Sequence, residues 1–192
     1  DSCLQCAVPF DSPMPAGTRC AACQRRSPPF DTSLAAFRYE AAIPTLIGGA
    51  KFRGRLNLVR LLGQCLAERV RELDPPRPEV LVPVPLHASR LRSRGYNQAL
   101  EIARVVGRDL ALPIDHACCV RVQATPPQAG LDERARHRNI RGAFLVQGPV
   151  PWGHVAILDD VVTTGSTVAE LSRVLRKAGV RRIQVWAVAR TP

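Results

Sequence analysis

Residues 155–167 read Val155-Ala156-Ile157-Leu158-Asp159-Asp160-Val161-Val162-Thr163-Thr164-Gly165-Ser166-Thr167, and this stretch decides how the chain is understood. Val155 to Leu158 is an unbroken apolar run, the signature of a strand buried on both faces. From Thr167 to Ala178 the periodicity is helical, and Gly179 closes the helix. The loop between them, Asp159 to Thr167, carries two recognition elements side by side. Thr163, Thr164, Gly165, Ser166 and Thr167 offer backbone N–H groups and hydroxyls around a flexible glycine at a helix N-terminus, where the helix dipole favours a monophosphate. Asp159 and Asp160 offer acceptors suited to the two vicinal hydroxyls of a ribose. A sugar diol with a terminal phosphate describes ribose 5-phosphate. The plainer alternative is an aspartate cap on an ordinary turn. The loop has no lysine, and neither a G-x-x-x-x-G-K-[ST] spacing nor a G-x-G-x-x-G after a strand occurs, which excludes the triphosphate P-loop and the dinucleotide fingerprint.

Outward from this stretch the same order recurs. Val80-Leu81-Val82-Pro83-Val84-Pro85 reads as a strand, His87 to Arg94 as a basic loop, and Asn97 to Leu110 as a helix. A further strand is expected from Arg182 to Ala189, a short one from Leu34 to Tyr39, and a helix from Leu56 to Leu73 with an apolar stripe at Leu58, Leu61, Leu62, Cys65, Leu66 and Val70, stopped by Asp74-Pro75-Pro76. Strands alternating with helices predict an α/β fold with a parallel sheet. In such sheets ligands sit outside the carboxyl ends of the strands, so the basic loop and the Asp-Asp loop are expected to share one pocket.

The chain has 192 residues, 46% of them hydrophobic, enough for one core and a small appendage. Its formal net charge of +11 suits polyanionic partners without choosing among nucleic acid, phosphorylated metabolites and acidic membranes. No stretch reaches the roughly 18 apolar residues of a membrane span. Asp1 opens the chain with no basic-then-apolar leader, which points to the cytoplasm. Seven cysteines, an odd number, favour thiols or metal ligands over disulfides. Cys3-x-x-Cys6 and Cys20-x-x-Cys23, separated by thirteen residues, form two knuckles whose four thiolates fit a structural zinc ion with no open coordination position. Two disulfides or four idle thiols are the alternative. Cys65, Cys118 and Cys119 have no partner at ligand spacing and are expected to be buried small residues. The four histidines are lone residues with no catalytic pattern. The resulting division is 1–30 as a zinc-binding knuckle, 31–77 as a linking strand and helical segment, and 78–192 as the α/β domain.

Val155 to Thr167 resembles the motif of type I phosphoribosyltransferases that binds 5-phosphoribosyl-1-pyrophosphate (PRPP). The resemblance implies that Asp159 and Asp160 hold the ribose hydroxyls, that Thr163, Thr164, Gly165, Ser166 and Thr167 hold the 5-phosphate, and that magnesium accompanies the pyrophosphate. It also implies a pyrophosphate loop at His87 to Arg94, with Arg90 and Arg94 as fixed donors to the diphosphate. Because Arg90, Arg92 and Arg94 alternate and cannot all point one way, a solvated basic loop is the alternative there. Leu131 to Arg141, with Arg134 and Arg138, resembles the hood that closes over the pocket and would serve equally as a strip of DNA contacts. Nearly the whole chain is similar to the ComF family: the paired-Cys knuckle, Pro83-Val84-Pro85-Leu86 with Arg90, Arg94-Gly95-Tyr96-Asn97-Gln98-Ala99, then Gln128, Leu131, Arg134, Arg138-Asn139 and Gly142-Ala143-Phe144. That family implies DNA uptake and natural transformation, with non-specific contacts to single-stranded DNA and a helicase-like partner. Aromatic residues are 5% of the chain, too few for extensive base stacking, so any DNA binding is expected to be unselective and salt-dependent. The competing functions are a metabolic phosphoribosyltransferase that passes ribose 5-phosphate to a base or amine with release of pyrophosphate, and a zinc-stapled scaffold whose pocket is vestigial.

Overall fold

The computed structural model describes residues 1–52, 55–124 and 140–192. Its centre is a sheet of β1 (Thr32–Arg38), β6 (Arg182–Arg190), β5 (His154–Val162) and β2 (Val80–Pro83), in that spatial order and parallel throughout. The apolar runs explain the order. Val155 to Leu158 and Ile183 to Ala189 are buried on both faces and take the two central positions. Beyond β2, Leu81 donates to Pro113 O (2.9 Å) and accepts from the Asp115 N–H (2.9 Å), so residues 113–115 add a short parallel edge. No helix of the described residues is long and apolar enough to cross a membrane.

Helices α3 (Leu56–Leu73) and α5 (Gln98–Leu110) pack against each other, both over the sheet. The buried stripe of α3 is Val59, Leu62, Gly63, Leu66, Ala67 and Val70, one position round from the expected stripe, and Leu61 faces outward. Gly63 sets the approach, because a Cβ there would lie 2.7 Å from Val105 Cβ. Five elements were not expected from the sequence. They are α1 (Ala21–Arg25) in the knuckle, α2 (Ile43–Phe52), α4 (Ala88–Arg94) in place of the basic loop, and an antiparallel pair of β3 (Cys119–Arg121) with β4 (Phe144–Val146). Pro44 sits in the first turn of α2, where its missing N–H costs nothing. β5 also runs further than its apolar core: Asp159 and Asp160 lie on the strand, and the turn begins only after Val162.

The chain leaves β2 outward through α4 and α5 toward residues 113–115, and leaves β5 in the opposite direction through α6 (Ser166–Lys177) to β6. The carboxyl ends of β2 and β5 therefore flank the point where the winding reverses, which is where an open α/β sheet offers a crevice.

A candidate ligand crevice and a thiolate cluster

Asp159 and Asp160 stand half-buried on the last turn of pleat of β5. The Asp160 N–H donates to Asp159 Oδ1 (2.9 Å) and the Val161 N–H to Asp160 Oδ1 (2.8 Å), which orients the carboxylates beside the strand end. The chain then turns through Gly165, whose φ of 75° is left-handed and strains any residue with a side chain. Gly165 is the N-cap of α6, so the helix starts with no side-chain cap and its first amides remain at the turn. Thr164 Oγ1 and Ser166 Oγ bond each other, and the Ser166 N–H lies 3.4 Å from Thr164 Oγ1. Thr163, Thr164, Gly165 and Thr167 are half-buried, whereas Ser166 is turned inward at 1% exposure.

On the opposite wall, α4 changes what its arginines can do. In a helix Arg90 and Arg94 are four residues apart and share a face, both half-buried, while Arg92 is exposed. Burial and the neighbouring Arg94 hold the Arg90 guanidinium below its ordinary pKa. His87 caps this helix by accepting the Ser89 N–H at Nδ1 (3.2 Å), and Gly95 ends it at φ 81°. The following residues fasten the wall. Arg94 Nη1 donates to Gln98 Oε1 (2.7 Å), the Tyr96 hydroxyl to Ala50 O, and Asn97 Nδ2 to Val84 O (3.0 Å) while Asn97 Oδ1 caps α5 through the Ala99 N–H (3.0 Å).

A third arginine joins them that the sequence does not flag. Arg121 ends β3 and forms a parallel bridge with His87, and its guanidinium lies 5.6 Å from the centroid of the Phe144 ring. Burial and Arg90 lower its pKa, and the Asp159 carboxylate opposes them. Arg90, Arg121 and Asp159 thus share one electrostatic environment although 31 and 38 positions separate Arg121 from the other two. Nothing local marks Arg121, which stands singly after Cys118-Cys119-Val120. The β3–β4 pair is held over α6 by Glu170, which accepts the Gly142 N–H (2.8 Å) and pairs with Arg173 (2.7 Å). Arg134 and Arg138 lie outside the described residues.

The four N-terminal cysteines converge as their spacing predicts. Their sulfurs lie within 4.8 Å of one another, and Cys6 and Cys20 are 3.7 Å apart. A tetrahedral ion with metal–sulfur bonds of about 2.3 Å needs sulfurs about 3.8 Å apart, so the donor set fits such an ion and all four positions are filled by protein. Burial raises the Cys3 thiol, but N–H groups of Cys20, Cys6 and Gln5 outweigh it and bring it down to about 7; burial pushes Cys6 up to about 11. The Cys20 N–H lies 3.2 Å from Cys3 Sγ. Cys118 and Cys119 are buried as expected, while Cys65 is only half-buried.

With this geometry in hand, relatives become informative. The chain is 34% identical over 193 residues to the DNA utilization protein YhgH of Salmonella typhi, covering 98% of this chain and 84% of that protein. It is 36% identical over 178 residues to Competence protein F of Haemophilus influenzae, covering 89% and 78%. The chain belongs to the ComF family. A more distant member, Competence protein ComFC of Streptococcus pneumoniae, is 22% identical to this ComF chain over 156 residues. No family model matches the chain. Among solved structures, this ComF protein is similar to the glutamine PRPP amidotransferase from B. subtilis complexed with ADP and GMP, at a TM-score of 0.44 and 16% identity. That likeness covers 68% of this chain and 26% of the amidotransferase, about a quarter of its length. The purine phosphoribosyltransferase from Pyrococcus horikoshii gives a TM-score of 0.39 and 20% identity, with 70% and 73% covered.

Proposed function

We propose that this ComF protein binds PRPP with magnesium in the crevice between β2 and β5 and serves DNA uptake. The observation that carries the reading is the convergence, at the reversal point of the sheet, of two carboxylates on a strand end, a left-handed glycine turn at a helix N-terminus, and three guanidinium groups. The division of labour follows from charge. Asp159 and Asp160 accept from the ribose hydroxyls, and Thr163, Thr164, Gly165, Ser166 and Thr167 supply amides and hydroxyls to the 5-phosphate. Arg90, Arg94 and Arg121 supply charge-assisted donors to the diphosphate. Magnesium would enter with that diphosphate and share its charge. If the C1–oxygen bond breaks, the same arginines steady the leaving pyrophosphate, which is the feature a transferase needs.

Zinc is the ion assigned to Cys3, Cys6, Cys20 and Cys23, where it closes a proline-rich loop that has little apolar surface of its own. The names of the relatives, DNA utilization protein and competence protein, support a role in handling incoming DNA. The +11 charge supports contact with phosphate backbones rather than bases. A cytoplasmic location and a helicase-like partner belong to this reading.

Calorimetric titration of PRPP with magnesium into the zinc-loaded protein tests the pocket, followed by pyrophosphate release with bases, amines and single-stranded DNA in turn. Binding is expected. Release with one acceptor makes the protein a transferase and names its substrate, and binding without release makes the pocket a sensor. Absence of binding rejects the assignment of the crevice.

A further inference from the structure

Arg190, the last residue of β6, is a buried cation at 9% exposure. Among the described residues no carboxylate pairs with it. Its Nε donates to Cys6 O (3.0 Å), and its Nη1 donates to Thr191 O (2.6 Å) and Thr191 Oγ1 (3.0 Å) and reaches Val162 O at 3.4 Å. The ionisable groups closest to it in charge terms are the thiols of Cys6, Cys20 and Cys23, which would oppose its burial only once ionised. Burying a guanidinium among neutral partners is costly, and an isolated buried charge is normally neutralised by an ion partner. Four thiols do not provide one. Four thiolates around a divalent ion carry a net charge of −2 and do.

The same guanidinium touches the strand that leads into the phosphate turn. Val162 is the last residue of β5, lies in register with Arg190, and accepts the Thr191 N–H (3.1 Å) as well. Thr163 and Thr164 follow immediately. One side chain therefore spans the carbonyl of a cluster cysteine and the carbonyl that opens the turn.

We propose that Arg190 is the built-in counter-charge of the metal–thiolate centre and ties that centre to the phosphate turn, so that metal and phosphorylated ligand bind cooperatively. Arg190 is a positioning residue, and the coupling part rests on the reading of the crevice given above. Its two attachments are separable. The charge serves the metal, and the planar fork, which holds Cys6 O and Val162 O at once, serves the coupling. A lysine keeps the first and loses the second.

The test is competition for zinc with a chelator, with and without saturating magnesium and PRPP, in the wild type, Arg190→Gln and Arg190→Lys. Arg190→Gln is expected to lose zinc affinity on the order of 10–100-fold, as outer-shell partners of metals do. Arg190→Lys is expected to hold zinc within about threefold of the wild type, since its charge is retained. In the wild type PRPP raises zinc retention about fivefold or more, and by reciprocity zinc raises PRPP affinity by the same factor; in both variants the factor falls to about one. Unchanged zinc affinity in Arg190→Gln, checked for folding by circular dichroism, overturns the counter-charge. A wild type in which PRPP binds but leaves zinc retention unchanged overturns the coupling. Should Arg190→Gln not fold, a loss of zinc affinity in Arg190→Lys as large as that expected for Gln overturns the charge argument instead. If the zinc-loaded wild type binds no PRPP at all, the crevice assignment fails and takes the coupling with it, while the counter-charge still stands or falls on the zinc measurement.

Discussion

The crevice and the knuckle are held together in opposite ways. The crevice is lined by the ends of β2 and β5, whose central residues are wholly buried, so its walls exist whether or not a ligand is bound. The knuckle contributes Cys3, Ala7, Cys23 and Phe30 as its buried apolar residues, with Gln5 the buried polar one, and is exposed through residues 11–17. Its order rests on four sulfurs and on a few bonds to the body, such as Ser33 N–H to Leu4 O (3.0 Å) and Ser33 Oγ to Gln5 O (2.8 Å). The difference sets a crevice whose walls the core supplies against a four-cysteine cluster whose donor set fits a metal ion.

The largest effect that can break this contrast is metal removal. Apparent zinc-binding energies of about 10–16 kcal/mol for small thiolate modules predict that Cys3→Ser with Cys20→Ser, or chelation, unfolds the knuckle while the sheet persists. Limited proteolysis is expected to cut within residues 7–19 and spare β5 and β6, and a protected knuckle in chelator would abolish the contrast. Next in size, Asp159→Ala with Asp160→Ala is expected to weaken calorimetric PRPP binding by roughly 10²- to 10⁴-fold, on the basis of two lost charge-assisted hydrogen bonds at about 1.5–3 kcal/mol each. The melting temperature should move by only a few degrees. A collapse of stability instead would mean that the acids serve the sheet.

A finer probe lies within the crevice. Arg121→Gln shortens the side chain and removes the guanidinium that lies over Phe144, and is expected to weaken PRPP binding about tenfold, the effect of one charge-assisted contact. Equal binding by this variant would return the diphosphate to Arg90 and Arg94 alone. The smallest effect concerns the edge beside the crevice. Burial raises the Asp115 carboxyl, but the Trp152 indole N–H (3.0 Å) and the amides of Cys118 (2.9 Å) and Ala117 (3.1 Å) outweigh it and hold it below the usual carboxylate range. A carboxyl whose folded pKa is depressed stabilises the protein above its unfolded pKa of about 3.9 and loses that contribution as pH falls through the folded value. Asp115→Asn should therefore lower denaturant stability at pH 7 by about 1–2 kcal/mol and leave a smaller difference from the wild type below about pH 3. A constant difference at both pH values would refute the charge contribution.

The elements that the sequence does not reveal share a physical cause. α4 carries Leu91 as its one large apolar residue, and that residue is exposed, so no periodic stripe announces the helix; it is defined by the His87 cap and the Gly95 stop. Pro44, Gly48 and Gly49 hide α2, because each is rare in helix interiors, yet Pro44 falls in the first turn. β3 and β4 have three residues each, too few for alternation to be read. The placement of Asp159 and Asp160 on β5 rather than in the turn follows from pairing with β6, which continues to Val162 opposite Arg190.

By itself, the sequence determined the alternation of strands and helices, the glycine turn at a helix N-terminus and the four-sulfur set. Each of these is encoded within a few residues by periodicity, backbone freedom or ligand spacing. Only the tertiary structure decided that Arg90 and Arg94 share a face, that Arg121 joins them, and that Arg190 stands between the cysteine cluster and the strand end before the glycine turn. Those relations join residues as far apart as Cys6 and Arg190, and the burial that gives each charge its meaning exists only after the sheet has closed over it.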